Sequence, residues 1–426
     1  MKQIKILIFI LLFCVFPARV FIHWVPILGY PLIATGIVLV EYVCILLLVI
    51  NSLSDRSLPK KSKLYKLVQI LFWVYTLYII YYVIINPVMP REDMAQGPES
   101  NLSFVQSAIT TSLVMVVVVN YQRYLNVKLF TKVAAAFMTI VLLAYTLSSD
   151  MSMYLYQKTL SGAELDKFDI SEYGLISTLT LSEFVQMAFV LNFFSRDSWT
   201  RNELLNKLIF WSASISLLVM LLIYGQRGPV VWLAASILFY YFAKGKLGKT
   251  MIVSVFAVTL VAVIWGDAIL SMFSKYDITL IERFLSIGDD GGSGRFGSED
   301  SVYGSSFRQI MSGLLFGSNF RLTVGGYIGG YPHNFILEFL MTFGLVFSLP
   351  LFWLIWKGVK KAYYAVKADA PLAVFCILFL NTYMYHLTSF TVVNDTKMWI
   401  LLVMTLCIGV ETTAGSSRMI MKSKKK

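Results

Sequence analysis

Four arginines, Arg283, Arg295, Arg308 and Arg321, share residues 274–332 with a single lysine, Lys275. The loops expected on the cytoplasmic side are dominated by lysine. A guanidinium is planar, permanently charged and able to grip a phosphate or carboxylate through two parallel hydrogen bonds, so this stretch suits an anionic ligand. Surface ion pairs with Asp289, Asp290, Glu299 and Asp300 are the plainer alternative. The stretch closes on Pro332-His333-Asn334, just before an apolar run. An imidazole titrates near neutrality and can serve as a general base. Pro332 suits the first turn of a helix, and a helix N-terminus presents unpaired N–H groups and a positive dipole end to an anion. For His333 the alternative role is capping. Arg227 repeats the pattern in Gly225-Gln226-Arg227-Gly228-Pro229, a turn between two apolar runs in which Pro229 opens the second. A snorkelling interfacial arginine is the alternative there.

Three acids, Glu41, Glu183 and Glu338, fall inside apolar runs, where a carboxylate points to function by default. Glu338 lies five residues beyond His333, more than one helical turn away. Asn381 and His386 in a later run read as helix–helix hydrogen-bonding residues. The four cysteines, Cys14, Cys44, Cys376 and Cys407, all lie in apolar runs without metal or redox spacing, and read as packing residues. The chain has no phosphate-binding Gly-rich loop after a strand, no H-E-x-x-H and no C-x-x-C. No metal is expected.

The elements that must position these residues are membrane helices. The chain is 58% hydrophobic and 14% charged, with a mean hydropathy of +0.71. A soluble domain carries about 25% charged residues, and this balance would leave it covered in apolar patches. Apolar stretches run near 4–22, 27–50, 65–86, 103–120, 129–148, 173–194, 208–225, 229–243, 250–273, 334–356, 371–393 and 397–413. Most approach the ~20 residues that a helix needs to cross a bilayer. The expected fold is therefore all-α: one polytopic transmembrane domain over residues 1–426, with about twelve spans. A long, partly helical outer loop, 274–332, joins the ninth and tenth. Within that loop the sequence predicts a short amphipathic helix over 277–287, a moderately helical piece over 305–316, and Gly-rich hinges at 288–294 and 325–331. The first run ends in Phe16-Pro17-Ala18-Arg19, without an A-x-A-like pair, which favours an uncleaved first helix.

The net charge of +12 comes in short clusters between spans rather than in one patch, which excludes a nucleic-acid surface. Counted from a cytoplasmic N-terminus, the inner loops are basic, among them Lys60-Lys61, Lys244 to Lys249, Lys357 to Lys361 and the Lys422–Lys426 tail. Opposite loops are acidic or mixed, as at Glu92, Asp93 and Glu99. This positive-inside alternation predicts both termini in the cytoplasm and residues 274–332 on the far face.

On these residues the chain resembles the O-antigen polymerase and O-antigen ligase superfamily of bacterial envelope glycan assembly, over residues 170–410. The ligase pattern is His, then Asn, Ser or Gln, nine residues, Gly, two residues, then Gly, Thr or Tyr. Here His333-Asn334 is followed by nine residues and Gly344, and the last position is Phe347, a departure that leans toward a polymerase. Glu282-Arg283-Phe284 through Gly294-Arg295, then Leu315-Phe316-Gly317, resembles the family's loop before the histidine, with Arg295 or Arg308 as its arginine. The Arg227-Gly228 turn resembles the family's arginine at the outer end of a span.

The resemblance implies a multi-pass protein of the bacterial inner membrane. Such an enzyme moves a glycan from undecaprenyl pyrophosphate to a sugar hydroxyl of a second lipid-linked repeat, or of lipid A–core in a ligase. It implies no nucleotide, metal or other cofactor. Its partners are membrane lipid, a chain-length regulator and a flippase. His333 becomes the expected base, supported by Asn334 and Glu338. Arg227, Arg295 and Arg308 become the pyrophosphate ligands, and Arg321, Tyr303, Tyr327 and Tyr331 the glycan contacts. A lipid-linked oligosaccharide flippase or secondary transporter is the alternative of another class, although the two halves of the chain show no repeat. A non-catalytic scaffold would tolerate alanine at Arg227, Arg295 and His333.

Overall fold

The computed structural model describes residues 2–19, 30–54, 62–85, 101–148, 151–152, 178–224, 227–246, 248, 301–318, 322–324, 327–388 and 395–408. In chain order the helices are α1 (Lys2–Val15), α2 (Pro31–Ser54), α3 (Lys63–Ile85), α4 (Asn101–Tyr121), α5 (Val127–Thr146), α6 (Thr178–Ser195), α7 (Glu203–Tyr224) and α8 (Arg227–Ala243). Then follow α9 (Val302–Ser312), the strands β1 (Leu322–Val324) and β2 (Tyr327–Gly330), α10 (Phe335–Lys367), α11 (Ala373–Tyr385) and α12 (Thr396–Cys407). Helices α2, α3, α5, α7 and α10 each contain a segment long and apolar enough to cross a membrane, while α6, α8, α11 and α12 are shorter apolar helices. The chain is a helical membrane protein. Its helices α1–α8 and α10–α12 coincide with apolar stretches read from the sequence. The remaining stretch, 250–273, lies outside the described residues, as do 277–287 and 288–294.

Helix α11 is the hub. It packs against α6, α8, α10 and α12, and nearly all of its residues are buried, as befits a helix that is apolar all round. The rings of Tyr75 on α3, Phe339 and Phe343 on α10, and Trp399 on α12 lock α3 to α10 and α12, with Tyr75–Phe343 centroids 4.9 Å apart. Arg19, which interrupts the first apolar stretch, donates to the buried Glu41 carboxylate of α2 at 3.2 Å.

Contacts at the helix ends fix their directions. Lys244, just past α8, pairs with Asp369, just past α10. Lys361 of α10 donates to the carbonyls of Leu406 and Ile408 at the end of α12, the favourable place for a cation. The Tyr385 hydroxyl at the end of α11 donates to Leu179 O, near the start of α6, at 3.1 Å. Phe193 and Phe194, near the end of α6, meet Tyr240, near the end of α8. So α6, α8, α10 and α12 all begin at one end of the bundle, the His333 end, and α11 finishes there. The opposite, lysine end carries Lys244, Lys357 and Lys361.

Helix α10 is longer than its apolar run. It continues past residue 356 through Lys357, Lys360 and Lys361, residues that favour helix. It ends at Ala368 and Asp369, and Pro371 follows. At 33 residues it is about 50 Å long, more than the ~30 Å of hydrocarbon. It is broken at Gly344, whose φ of 61° and ψ of −172° are not helical. The turn after α9 docks into that break. Leu345 N donates to Leu314 O at 2.9 Å, Val346 N to Leu315 O at 3.1 Å, and Ser318 N to Met341 O at 2.8 Å. A Cβ on Gly344 would sit 2.4 Å from the Leu315 backbone, so only glycine fits. The chain then forms the antiparallel pair β1–β2, with Thr323 opposite Ile328, where the sequence suggested a Gly-rich hinge. Ile310 of α9, Leu322 of β1 and Met341 of α10 bury a small separate cluster that ties α9 and the hairpin to α10.

Candidate functional site

The site is organised by one turn, Tyr385–Thr388, at the end of α11. Phe335 N donates to His386 O at 2.8 Å. Asn334 Nδ2 donates to Leu387 O at 3.2 Å. Trp232 Nε1 of α8 donates to Thr388 Oγ1 at 2.9 Å, and Gly228 lies so close that a Cβ there would be 2.8 Å from the same hydroxyl. The start of α8, with Arg227, and the start of α10, with His333, therefore flank a single turn. Of Arg227 only the backbone is described, as the first residue of α8.

His333 is partly exposed and has a φ of 51°, a left-handed conformation that strains a residue with a Cβ. The Tyr331 ring lies 4.2 Å from its imidazole, centroid to centroid. Asn334 caps α10, its side chain accepting from Ile336 N at 3.0 Å and Leu337 N at 3.3 Å. The cap corrects the expectation for Pro332. The helix starts at Phe335, so Pro332 precedes the cap rather than filling the first turn. Pro229 does lie in the first turn of α8. Glu338 is buried in the first turn of α10.

Arg308 is exposed on α9, with Nη2 3.3 Å from Ser305 Oγ, and its helix lies along Leu337 to Met341 of α10. Tyr303 is in the first turn of α9, and Tyr327 begins β2. Arg283, Arg295 and Arg321 lie outside the described residues.

Beneath the turn is a group of which the sequence singled out Glu183 and His386 but not Asp395 or Lys397. His386 is fully buried. Its Nδ1 is 2.8 Å from Thr382 O and its Nε2 3.0 Å from Asp395 Oδ2. A carbonyl and a carboxylate both accept, so the ring is satisfied when both nitrogens carry protons. Asp395 caps α12 by accepting from Lys397 N at 2.9 Å. Lys397 in turn pairs with Glu183 of α6. With the imidazole protonated, Glu183, Lys397, Asp395 and His386 alternate in charge and sum to zero, the condition under which buried ions are tolerated. Burial opposes ionisation of Asp395, but Lys397 and His386 outweigh it and hold the carboxyl below the usual carboxylate range. The signal was in the sequence: Asp395, two residues before Lys397 and just ahead of an apolar run, is a helix-capping pattern. His386 does more than join two helices, because it anchors the turn on which two helix starts rest.

Four helix N-termini at one end give a concentration of positive dipole ends. Unpaired N–H groups at such ends suit an anion, and His333 lies at the start of one of these helices. Among the described residues no group of three or more His, Cys, Asp or Glu is gathered as a metal ligand set would be. No protein-family model, curated protein or solved structure matches the chain.

Proposed function

We propose that this protein is a metal-independent membrane glycosyltransferase of the O-antigen polymerase type, in the bacterial inner membrane, with its His333 end facing away from the cytoplasm. The observation that carries this reading is the meeting of the α8 and α10 starts, with Arg227 and His333, on the Tyr385–Thr388 turn. A second observation supports it. The two motif fragments that suggested the family, Leu315-Phe316-Gly317 and the glycine at the eleventh position after His333, touch one another at Gly344.

In the proposed reaction His333 takes the proton of an acceptor sugar hydroxyl. That oxygen bonds to the anomeric carbon of the donor glycan as the bond from that carbon to the pyrophosphate oxygen breaks. Arg227, Arg295 and Arg308, aided by the helix N-termini, offset the charge gathering on the departing undecaprenyl pyrophosphate, the kind of stabilisation that is often the largest catalytic term. Tyr331, beside His333, and Tyr303, Tyr327 and Arg321 hold glycan.

Phe347, the departure from the ligase pattern, has its ring 5.7 Å from that of Tyr78 on α3. That position packs α10 against α3, and the departure it makes from the ligase pattern is what favours a polymerase in this reading. Complementation of a polymerase-null strain decides the acceptor. Restored long chains identify a polymerase; glycan on lipid A–core instead identifies a ligase. His333→Ala at wild-type expression should abolish the product, and retention of it would overturn the assignment.

A further inference from the structure

Helix α9 is inside out. The face toward α10 is made of Ser305, Ser306 and Ile310, small or modest residues of the sort that let membrane helices approach. The large apolar side chains point away from the protein. Met311 is 68% exposed, Phe307 and Phe316 58%, and Leu315 57%. Phe307 and Met311 are four residues apart and share a helix face. In water this would be a costly patch beside the candidate site.

Two further observations say what covers it. The first is depth. An apolar stripe of α10 is exposed at Val346, Leu349, Trp353 and Trp356, spaced three and four apart as on one helix face. Lys357 lies over Trp353, the aromatic and basic pairing of a membrane interface. From Trp356 back to Gly344 is 356 − 344 = 12 residues, about 18 Å of helix, against ~30 Å of hydrocarbon. The turn docked at Gly344 therefore sits roughly 10 Å inside the far edge of the hydrocarbon. Its exposed Leu315 is hydrogen-bonded through the backbone to Val346, the first residue of that stripe.

The second observation is the backbone. Irregular chain is tolerated at that depth only when its polar groups are satisfied within the protein. Here they are extensively paired. Gly313 N donates to Ile310 O and Gly317 N to Gly313 O, while Leu314 O and Leu315 O accept from α10 and Ser318 N donates to it.

We propose that α9 and the turn after it, residues 302–318, form a re-entrant segment in the bilayer leaflet at the His333 end, with Phe307, Met311, Leu315 and Phe316 against lipid acyl chains. The expected outer loop is then partly a membrane element. For the proposed transferase, and in this respect alone resting on it, Arg308 is carried at the level where the pyrophosphate of a membrane-bound polyprenyl donor rests, and the donor's tail can stay in the leaflet throughout.

The test is depth-dependent quenching, which needs no activity and so stands or falls apart from the transferase reading. Met311→Cys and Phe316→Cys, each in the full chain, are labelled with an environment-sensitive fluorophore and reconstituted in phosphatidylcholine vesicles. The unsubstituted protein gives the background of the four native cysteines. Asp197→Cys, at a carboxylate 84% exposed, is the aqueous control. The expected result is loss of emission at both sites with chain-brominated lipid and little loss with iodide, with Asp197→Cys showing the reverse. Quenching by iodide would overturn the proposal in favour of water. Quenching by neither would overturn it in favour of a protein cover, such as a second copy of the chain. If either variant fails to fold, Phe307→Cys replaces it.

Discussion

At the residue scale, the left-handed backbone of His333 separates function from packing. A non-glycine residue in that region costs about 1–2 kcal/mol, and such strain gathers at functional sites. His333→Gly relieves it, while glycine loses roughly 0.5–1 kcal/mol through its greater freedom when unfolded. Thermal unfolding in detergent should therefore show His333→Gly as stable as the unsubstituted protein, with glycan transfer abolished. A clear loss of stability would make His333 a packing residue. The buried quartet behaves in the opposite way. Asp395→Asn leaves His386 and Lys397 short of a counter-charge and should cost about 3–5 kcal/mol, the usual penalty for breaking a buried ion pair. The pH dependence follows from the depressed Asp395 carboxyl. Its contribution is complete above the unfolded value of about 4 and is lost as pH falls through the lower folded value. Acid unfolding profiles check this: Asp395→Asn should lower stability at neutral pH and flatten the acid limb.

At the element scale, the nine-residue gap between Asn334 and the motif glycine acquires a physical cause. Asn334 is the cap that starts α10, and Gly344 is where α10 opens to receive the turn after α9. Their spacing is the length of a short helical piece, about 13 Å, and that piece sets His333 at a fixed height above the docked turn. Gly344→Ala puts a Cβ 2.4 Å from the Leu315 backbone at a positive φ. The turn should be expelled, and limited proteolysis should then cut within 301–318 faster than in the unsubstituted protein. An unchanged cleavage rate would mean that the docking is not needed to hold α9. The sequence carried the glycine and the spacing but not this reason, since contacts between Leu314–Ser318 and Met341–Val346 join residues far apart in the chain. It carried helix positions well, because apolar runs are local. It misjudged the end of α10, because lysines that mark an interface also prolong a helix. It gave no sign of the β1–β2 pair, because glycines suit a hinge and a hairpin alike.

At the scale of the whole molecule, the partition of charge read from the sequence meets the direction of the helices. Lys244, Lys357 and Lys361 lie at one end of α8 and α10, while Arg227 and His333 lie at the starts of the same helices. The alternation of basic and acidic loops already implies that α6, α8, α10 and α12 run parallel and α11 against them, and the pairing of Lys244 with Asp369 and of the Tyr385 hydroxyl with Leu179 agrees with it. The sequence did not show that all four of those helices pack on α11. Nor did it show that His386 and Asp395 lie beneath the turn joining α8 to α10, because the pair is made only when α11 and α12 fold back together. The arrangement makes a global prediction. If lysines mark the cytoplasmic face, the His333 end faces outward, the side that the proposed transferase requires. Tyr331→Cys, beside His333, should react with a membrane-impermeant thiol reagent in intact cells once the outer barrier is opened. Asp197→Cys, just past the lysine end of α6, should react only after the inner membrane is permeabilised. The reverse pattern would place His333 in the cytoplasm and remove the donor from its reach, ending the transferase reading whatever the chemistry of the site.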